Sequence, residues 1–191
     1  MKFEIFKFEE VTSTNDVAIN LIKNKKKEIG CVYADTQTKG RGTHGKNWFS
    51  EKGNLFATIF FPLNENHPPF NEFSIINPTI ILRAVEKFFH GSKATFKWPN
   101  DLLINGKKFC GILQELITFE TKKFLIIGIG LNIVSNPKLE GNNLATNIFL
   151  ETKNKPTPND VISLITTSYE SFFSDLNLYN YENFKKKIGL I

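Results

Sequence analysis

DLLINGKKFCGILQEL, residues 101–116, decides the fold class of this chain, because two apolar runs in it are separated by Asn105-Gly106. Asn-Gly favours a type I′ turn, whose two central residues both need a positive φ, and this turn joins antiparallel strands. The sequence therefore predicts a β-hairpin from residues 102–104 and 109–116. A sheet that contains such a hairpin is antiparallel or mixed, unlike the parallel sheet of a doubly wound fold.

Outward from the hairpin, the chain alternates short apolar strands with isolated helices. One predicted helix begins at Ser13 or Thr14 and runs to about residue 23. A second carries apolar residues every three or four positions over residues 73–88 and is expected to kink at Pro78. The predicted strands cover residues 3–8, 30–35, 54–62, 95–98 and 122–130.

The C-terminal part is predicted to be a loop over residues 136–156, followed by a helix that Thr157 caps. That helix is expected to bury four apolar residues: Val161, Ile165, Phe172 and Leu176. The order of elements predicts an α+β fold, in which a mixed or antiparallel sheet carries helices packed on one side. A single domain over residues 1–191 is expected, because 191 residues with 41% hydrophobic content suit one core.

The composition argues against several classes of protein. Two cysteines and three scattered histidines provide neither a disulfide framework nor zinc-ligand spacing, which favours a reducing cytoplasm. The net charge of +5 comes from lysines spread along the chain, and helix ends explain the short clusters at 25–27 and 185–187. The N-terminus reads as a strand instead of a signal peptide. The longest apolar run, residues 124–131, is far below the roughly 18 residues of a membrane span.

Residues 40–48 (GRGTHGKNW) form the first candidate site. Three glycines close together let the backbone approach a ligand and point N–H groups at it, as a carboxylate or phosphate requires. Arg41 lies between two of these glycines, and only Arg41 and Arg83 are arginines among 24 basic residues. A lysine-rich chain that places a planar guanidinium here indicates that its fork-shaped hydrogen-bonding geometry is needed in this loop.

A second candidate site is KWPND, residues 97–101, together with Lys108 of the hairpin. Asn100 and Asp101 offer oxygen ligands for a hydrated Mg²⁺, and the hairpin can return Lys108 to the same face. A lysine beside a phosphate supplies a compact charge for the transition state of phosphoryl transfer. The alternative is an ordinary turn with a solvated lysine.

GIGLN, residues 128–132, is the third candidate. Two glycines at alternate positions of a strand suggest that another group packs directly against the backbone, with a β-bulge as the alternative. Trp48 and Trp98 fall within the first two motifs. Each is predicted to flank an adenine or line a pocket, unless it packs in the core.

In combination these motifs resemble those of biotin protein ligases, in order and in approximate spacing, over nearly the whole chain. The matching segments are Ser13-Thr14-Asn15, Gln37 with Gly40-Arg41-Gly42, Lys97-Trp98-Pro99-Asn100-Asp101, Lys108 with Gly111-Ile112-Leu113, and residues 128–132. The resemblance implies a fold related to class II aminoacyl-tRNA synthetases and a two-step reaction. Biotin and ATP, with Mg²⁺, give biotinoyl-5′-AMP and pyrophosphate. A lysine of a biotin carboxyl carrier protein then accepts the biotinoyl group.

The resemblance also implies roles for individual residues. Lys108 and Arg41 are the implied catalytic residues. The implied biotin-binding residues are Ser13, Thr14, Asn15, Gln37, Gly40, Arg41, Gly42, Thr43, Lys108, Gly111, Gly128 and Gly130. The implied ATP-binding residues are Trp48, Lys97, Asn100, Asp101, Lys108 and Asn132, with Asn100 and Asp101 on Mg²⁺.

Some features depart from the pattern of these ligases. Many relatives carry a second arginine where this chain has Thr43 and a basic residue where it has His44, so weaker retention of the acyl-adenylate is expected. The chain begins directly with the catalytic domain, without a helix-turn-helix segment, so no DNA partner is expected. It ends where relatives continue into a small β-barrel, which is expected to be absent. Homodimers occur among relatives, so a homodimer stays open.

Two alternatives stay open. A lipoate or octanoate ligase or transferase of the same superfamily would bind an apolar head, which Ser13, Thr14 and Gln37 do not favour. For a transferase with a cysteine nucleophile, Cys110 is the candidate, whereas a small buried cysteine is the simpler interpretation. The other alternative is a non-catalytic synthetase-like module that binds RNA or a partner protein.

Overall fold

The computed structural model describes residues 1–89, 91–137 and 144–189 and contains a seven-stranded sheet in the order β1-β2-β3-β7-β6-β5-β4. The strands are β1 Glu4–Val11, β2 Gly30–Gln37, β3 Leu55–Leu63, β4 Ala94–Lys97, β5 Asp101–Ile104, β6 Lys107–Phe119 and β7 Lys122–Leu131. The helices are α1 Thr14–Lys25, α2 Phe73–Val85, α3 Ile148–Thr152, α4 Pro158–Ser174 and α5 Tyr181–Lys187. Strand β1 pairs parallel with β2, and the other neighbours pair antiparallel, so the predicted mixed sheet and α+β class are confirmed.

The predicted hairpin is confirmed, and it connects β5 to β6. Asn105 has φ 51° and Gly106 has φ 78°, the two positive values that a type I′ turn requires. From there β6 runs antiparallel to β7 over its length, with Gly111 opposite Gly130 and Leu113 opposite Gly128. The hairpin and its partner strand therefore place the second and third sequence motifs side by side.

Helices cover both faces of the sheet, so the expectation that they lie on one side is wrong. On one face α1 buries Ala18 and Ile22 against Val32, Phe60 and Ile126. On the other face α2 and α4 pack on the larger core, which takes the alternate residues of β2, β3 and β7. These central strands have apolar side chains at successive positions, as strands buried on both faces do. The N-terminus of α1 therefore lies beside this face of the sheet, where it is available to a ligand.

Two expectations for the C-terminal part need correction. The stretch predicted as loop contains α3, which Asn147 caps by accepting a hydrogen bond from Leu150 N at 2.8 Å; the part of that stretch at 138–143 lies outside the described residues. The capping box of α4 is confirmed. Phe172 was expected to be buried but is only partly covered, and Phe173 is buried instead. Leu176 lies beyond the end of α4, in a short 3₁₀ turn.

Two further observations concern the helices. Helix α1 extends two residues past the predicted end, to Lys25, and Lys26 ends it in the left-handed conformation with φ 53°. Helix α2 continues through Pro78, which is buried within it, to Val85. Within the described ranges, no helix combines the length and the apolar character needed to cross a membrane.

Candidate functional site

A cavity of about 520 Å³ lies between the N-terminus of α1, the loop after β2, the β5–β6 hairpin and the end of β7. The predicted site residues that line it are Ser13, Thr14, Asn15, Gln37, Arg41, Gly42, Thr43, Trp48, Lys97, Asn100, Asp101, Lys108, Gly111, Gly128, Gly130 and Asn132. Residues that lie between positions 13 and 132 of the sequence thus meet in this cavity. The cavity opens on the α1 face, because Gly128 and Gly130 alternate along β7 with residues of the opposite core.

Gly40 is the one predicted site residue that does not line the cavity. It is buried inside the glycine loop, where a Cβ would lie 2.6 Å from Trp48 O and 2.8 Å from Ser50 Oγ. Its own carbonyl accepts a hydrogen bond from Trp48 N at 2.8 Å. Gly40 therefore shapes the loop, because no other residue leaves room for the returning backbone.

The glycines at the ends of the paired strands form a floor on which Trp48 lies. A Cβ on Gly111 would lie 2.6 Å from Trp48 Cζ3, and one on Gly130 would collide with the indole as well. Lys108 Nζ is 5.1 Å from the centre of a Trp48 ring, within the range of a cation–π contact. The prediction that a group packs directly against the strand backbone is confirmed.

The same holds for Gly128, on which Asn15 lies. A Cβ on Gly128 would collide with Asn15 Oδ1. Asn15 is buried, and its Oδ1 accepts a hydrogen bond from Thr58 Oγ1 at 2.6 Å. Glycine at 128 is thus required for the N-terminus of α1 to approach the sheet, and it leaves the amide of Asn15 at the cavity wall.

Hydrogen bonds link the Ser-Thr-Asn trio to Gln37 at the end of β2. Gln37 Oε1 accepts from Thr14 N at 2.9 Å and from Thr14 Oγ1 at 3.1 Å. Gln37 Nε2 donates to Ser50 Oγ at 3.1 Å, which ties the far end of the glycine loop to the same group. Ser13 occupies the N-cap position and is buried at the cavity. The result is a rigid polar wall that offers hydroxyl and amide groups to a ligand.

Two residues of this wall were missed by the sequence reasoning. Thr58 of β3 is fully buried, with Oγ1 2.8 Å from Thr14 Oγ1. Glu115 of β6 accepts hydrogen bonds from Asn15 and Arg41. The period of two in a strand could have pointed to Glu115, because Gly111, residue 113 and Glu115 share one face of β6. Nothing comparable in the local sequence marks Thr58.

The guanidinium fork of Arg41 is engaged by a carboxylate of the protein. Arg41 Nη1 donates to Glu115 Oε1 and Arg41 Nη2 to Glu115 Oε2, both at 2.8 Å, and Asp16 Oδ1 lies 3.0 Å from Nη2. Burial, the largest single influence, lowers the pKa of Arg41, but the contacts with Glu115 and Asp16 together raise it above its usual value. The fork geometry that the sequence indicated is therefore used in an ion pair inside the protein.

Lys108 and Asp101 form an ion pair in the cavity, with Lys108 Nζ 2.7 Å from Asp101 Oδ1. The hairpin brings them together as predicted. The backbone of Lys108 is held from its other side, because Lys108 N donates to Leu144 O at 2.9 Å and Thr146 N donates to Lys108 O at 2.8 Å. The ammonium group thus extends from a strand that is hydrogen-bonded on both edges.

Two asparagines and a lysine complete the cavity beside this pair. Asn132 is buried; its Nδ2 donates to Thr146 O at 3.0 Å, while its Oδ1 has no hydrogen-bond partner among the described residues. Asn100 Nδ2 donates to Ile112 O at 3.2 Å. Lys97 is exposed at the mouth. A buried acceptor without a partner is costly, so Asn132 is suited to receive a donor from a ligand.

Asp101 is the single carboxylate among the residues that line the cavity. The described part of the chain contains no group of three or more histidine, cysteine, aspartate or glutamate side chains placed to hold a metal ion. Mg²⁺ commonly keeps several waters and binds through one or two carboxylates together with substrate phosphates. The cavity therefore fits an ion that arrives with a nucleotide, and it does not resemble an all-protein metal cage.

Cys110 and His44 do not take part in the cavity. Cys110 is fully buried beneath the floor, and burial raises the pKa of its thiol well above the usual range, so it is unsuited to be a nucleophile. His44 is exposed, has φ 55° and is not among the residues that line the cavity, whereas Thr43 is. Besides Arg41, the positive charge of the loop that lines the cavity is that of Lys46, three residues beyond Thr43.

The chain matches known proteins over most of its length. The profile of the biotin/lipoate A/B protein ligase family matches residues 6–132. The bifunctional ligase/repressor BirA of Bacillus subtilis is 30% identical over 184 residues, which cover 92% of this chain and 55% of that protein. The chain thus spans about half the length of this curated relative.

Solved structures show the same fold. The biotin protein ligase from Leishmania major in complex with biotinyl-5-AMP has a TM-score of 0.80 and 30% identity, covering 98% of this chain and 81% of that one. The biotin protein ligase from Aquifex aeolicus in complex with biotin and ATP has a TM-score of 0.79 and 26% identity, covering 97% of this chain and 76% of that one. Both similarities cover nearly the whole of this chain.

Proposed function

Because the chain belongs to the biotin/lipoate A/B protein ligase family, we propose that it is an ATP-dependent biotin protein ligase. A biotin carboxylate oxygen attacks the α-phosphorus of ATP, the bond to the bridging oxygen breaks, and pyrophosphate leaves. The ε-amine of an acceptor lysine then attacks the acyl carbon of biotinoyl-5′-AMP. AMP leaves, one proton is released and an amide bond forms. The acceptor is a biotin carboxyl carrier protein in the cytoplasm, a compartment that suits two buried free thiols.

The observation that carries this proposal is the composition of one cavity. Its polar wall, with Thr14 and Gln37 in a fixed hydrogen-bonded arrangement, suits a ureido head that has donors and an acceptor in one plane. Its other end has Lys108, and the glycine loop lies between. A substrate with a polar head and a carboxylate, bound across this cavity, would place the carboxylate beside the lysine.

Lys108 is the group we assign to the first chemical step. Two anions must approach each other, and a fixed ammonium group offsets their repulsion most strongly when negative charge gathers on the α-phosphate. Asp101 Oδ1 lies 2.7 Å from this ammonium group, so the substrate carboxylate and phosphate would compete with Asp101 for it. The glycine loop supplies backbone N–H groups for the same anions.

The nucleotide is assigned to the side of the cavity that contains Trp48 and Asn132. The buried Oδ1 of Asn132 is suited to accept a hydrogen bond from an exocyclic amine of adenine, and the indole of Trp48 offers a stacking face. Asn100 and Asp101 would contact Mg²⁺ that arrives with the phosphates. This ion would neutralise part of the phosphate charge.

Pyrophosphate exchange into ATP tests this assignment. We expect exchange that depends on biotin, and a rate lower by about 10³-fold with lipoate, because lipoate leaves the polar wall unpaired. The measurement is the incorporation of labelled pyrophosphate, run in parallel with the two acids at equal concentration. Exchange with lipoate alone would reject the biotin assignment, and exchange with neither would favour a non-catalytic binding module.

Thr43 provides a separate prediction about the intermediate. Because Thr43 lines the cavity and carries no charge, we expect wild-type protein to release some biotinoyl-AMP, which then labels exposed lysines of bystander proteins. Thr43→Arg is expected to reduce this labelling by about fivefold, since a charge-assisted hydrogen bond would hold the adenylate phosphate. The measurement is biotin incorporated into an added albumin. Thr121→Arg, in an exposed turn, is the control for added charge, and equal labelling by all three proteins would contradict the prediction.

A further inference from the structure

We propose that Glu115, in the middle of β6, is a positioning residue for biotin, a role that rests on the proposed function. Its carboxylate receives three hydrogen bonds from two residues of the cavity wall. Arg41 donates two of them, one from each terminal nitrogen, and Asn15 Nδ2 donates the third to Oε2 at 2.6 Å. Glu115 thus joins the glycine loop to the N-terminus of α1.

The contact with Arg41 fixes the glycine loop to the sheet. Within the loop, backbone hydrogen bonds such as Gly42 N to Lys46 O at 2.7 Å close the turn on itself. Trp48 packs on Gly111 of β6, and the paired fork of Arg41 and Glu115 adds two hydrogen bonds from the loop to this strand, both at 2.8 Å. A fork-to-carboxylate pair defines the plane of the guanidinium as well as its distance. The loop therefore covers the cavity in one defined orientation.

The contact with Asn15 orients an amide that has two different ends. Because Nδ2 must face the Glu115 carboxylate, Oδ1 is left to accept from Thr58 Oγ1. Thr58 in turn lies beside Thr14, whose hydroxyl donates to Gln37. One carboxylate thereby sets the direction of the hydrogen bonds through Asn15 to Thr58, within the polar wall to which we assign the biotin head.

The charges of this cluster indicate that its role is to position other groups and not to attract a substrate anion. Arg41 carries one positive charge and lies between the carboxylates of Glu115 and Asp16, with ion-pair distances of 2.8 and 3.0 Å. The three groups together are net negative and offer no excess positive charge to a substrate carboxylate. Lys108 has a different carboxylate partner, so loss of Glu115 leaves the chemical step itself untouched.

Glu115→Gln is the sharpest test, because it keeps the size of the side chain and removes only its charge and one acceptor. The new amide NH₂ must face either Arg41 or Asn15, both of which are donors. We expect the KM for biotin in pyrophosphate exchange to rise about tenfold or more, with kcat and the KM for ATP within about twofold of wild type. Glu120→Gln, which removes an exposed ion pair with Lys26 at the end of the same strand, should change none of these values.

A second variant and a ligand-free measurement complete the test. Arg41→Lys cannot form the paired fork, so the KM for biotin should rise in it too, and the double variant with Glu115→Gln should show no further rise. Without any ligand, trypsin should cleave the glycine loop of Glu115→Gln about tenfold faster than that of wild type.

Two sets of results would overturn the proposal. The first is an unchanged KM for biotin in Glu115→Gln with unchanged cleavage, or a loss in kcat with KM preserved. The second is an additive effect of the two substitutions in the double variant. Wild-type protein that does not exchange pyrophosphate with biotin would instead reject the proposed function, and loop cleavage would then still decide the positioning role.

Discussion

Lys108→Ala is expected to lower the rate of biotin-dependent pyrophosphate exchange by about 10²- to 10³-fold, while the affinity for biotin falls much less. The lysine faces negative charge that gathers only as the carboxylate oxygen attacks phosphorus, so its removal affects the transition state more than the bound substrate. Its backbone is hydrogen-bonded to residues 144–146 whichever side chain is present, so the strand should stay in place. Exchange kinetics and calorimetric titration of biotin together measure the two effects.

The control for this prediction is a lysine that lies outside the cavity. Lys123→Ala, on an exposed part of β7, removes the same charge from the protein and should leave exchange unchanged. Lys108→Ala also leaves Asp101 without its partner, so Asp101→Asn is a useful companion, because it frees the lysine without removing it. Near-normal exchange in Lys108→Ala would remove this residue from its catalytic role.

Gly130→Ala is expected to raise the KM for ATP by about 10- to 100-fold, since the added methyl group displaces Trp48 from the floor of the cavity. The indole lies directly on Gly130 and Gly111. A Cβ added to Gly111 would lie only 2.6 Å from Trp48 Cζ3, and one added to Gly130 would collide with the same ring. Overpacking of this kind costs about 1–3 kcal/mol when the neighbour cannot shift freely. The displaced indole should change its fluorescence emission, measured in a Trp98→Phe background so that Trp48 alone reports.

Trp48→Ala provides the control, because it removes the group with which the new methyl group collides. In that background Gly130→Ala should add little to the KM for ATP, and the non-additivity measures the contact. Unchanged Trp48 emission together with an unchanged KM for ATP in Gly130→Ala would show that the indole does not need the glycine floor.

Much of the fold was predictable because its signals are local. Asn105-Gly106 predicts its own turn, and both residues have the positive φ values that this turn needs. The capping box at Thr157 likewise depends on atoms three residues apart. The short helix α3 was missed although Asn147 caps it, because five helical residues carry too little periodicity to be recognised.

The side of the sheet on which a helix packs was not predictable from these signals. Helix α1 has an apolar stripe that fits either face equally well, and only the assembled sheet shows that Val32 and Phe60 face it. The same limit applies to the residues that support the site. Glu115 is 74 positions from Arg41 and 100 positions from Asn15, so no local pattern connects the three.

The resemblance to biotin protein ligases implied the set of polar residues that meet in one cavity, whereas the sequence by itself determined the hairpin, the mixed sheet and the glycines that must lie under another group. These depend on turn geometry, periodicity and the missing Cβ of glycine, which are properties of short segments. Only the tertiary structure decided that Trp48 and Asn15 are the groups above those glycines, and that the fork of Arg41 is held by Glu115 while Asp101 holds Lys108. These contacts depend on strand register and on the approach of segments that are distant in the sequence. A hydrogen bond needs its two atoms about 3 Å apart, whatever their separation along the chain.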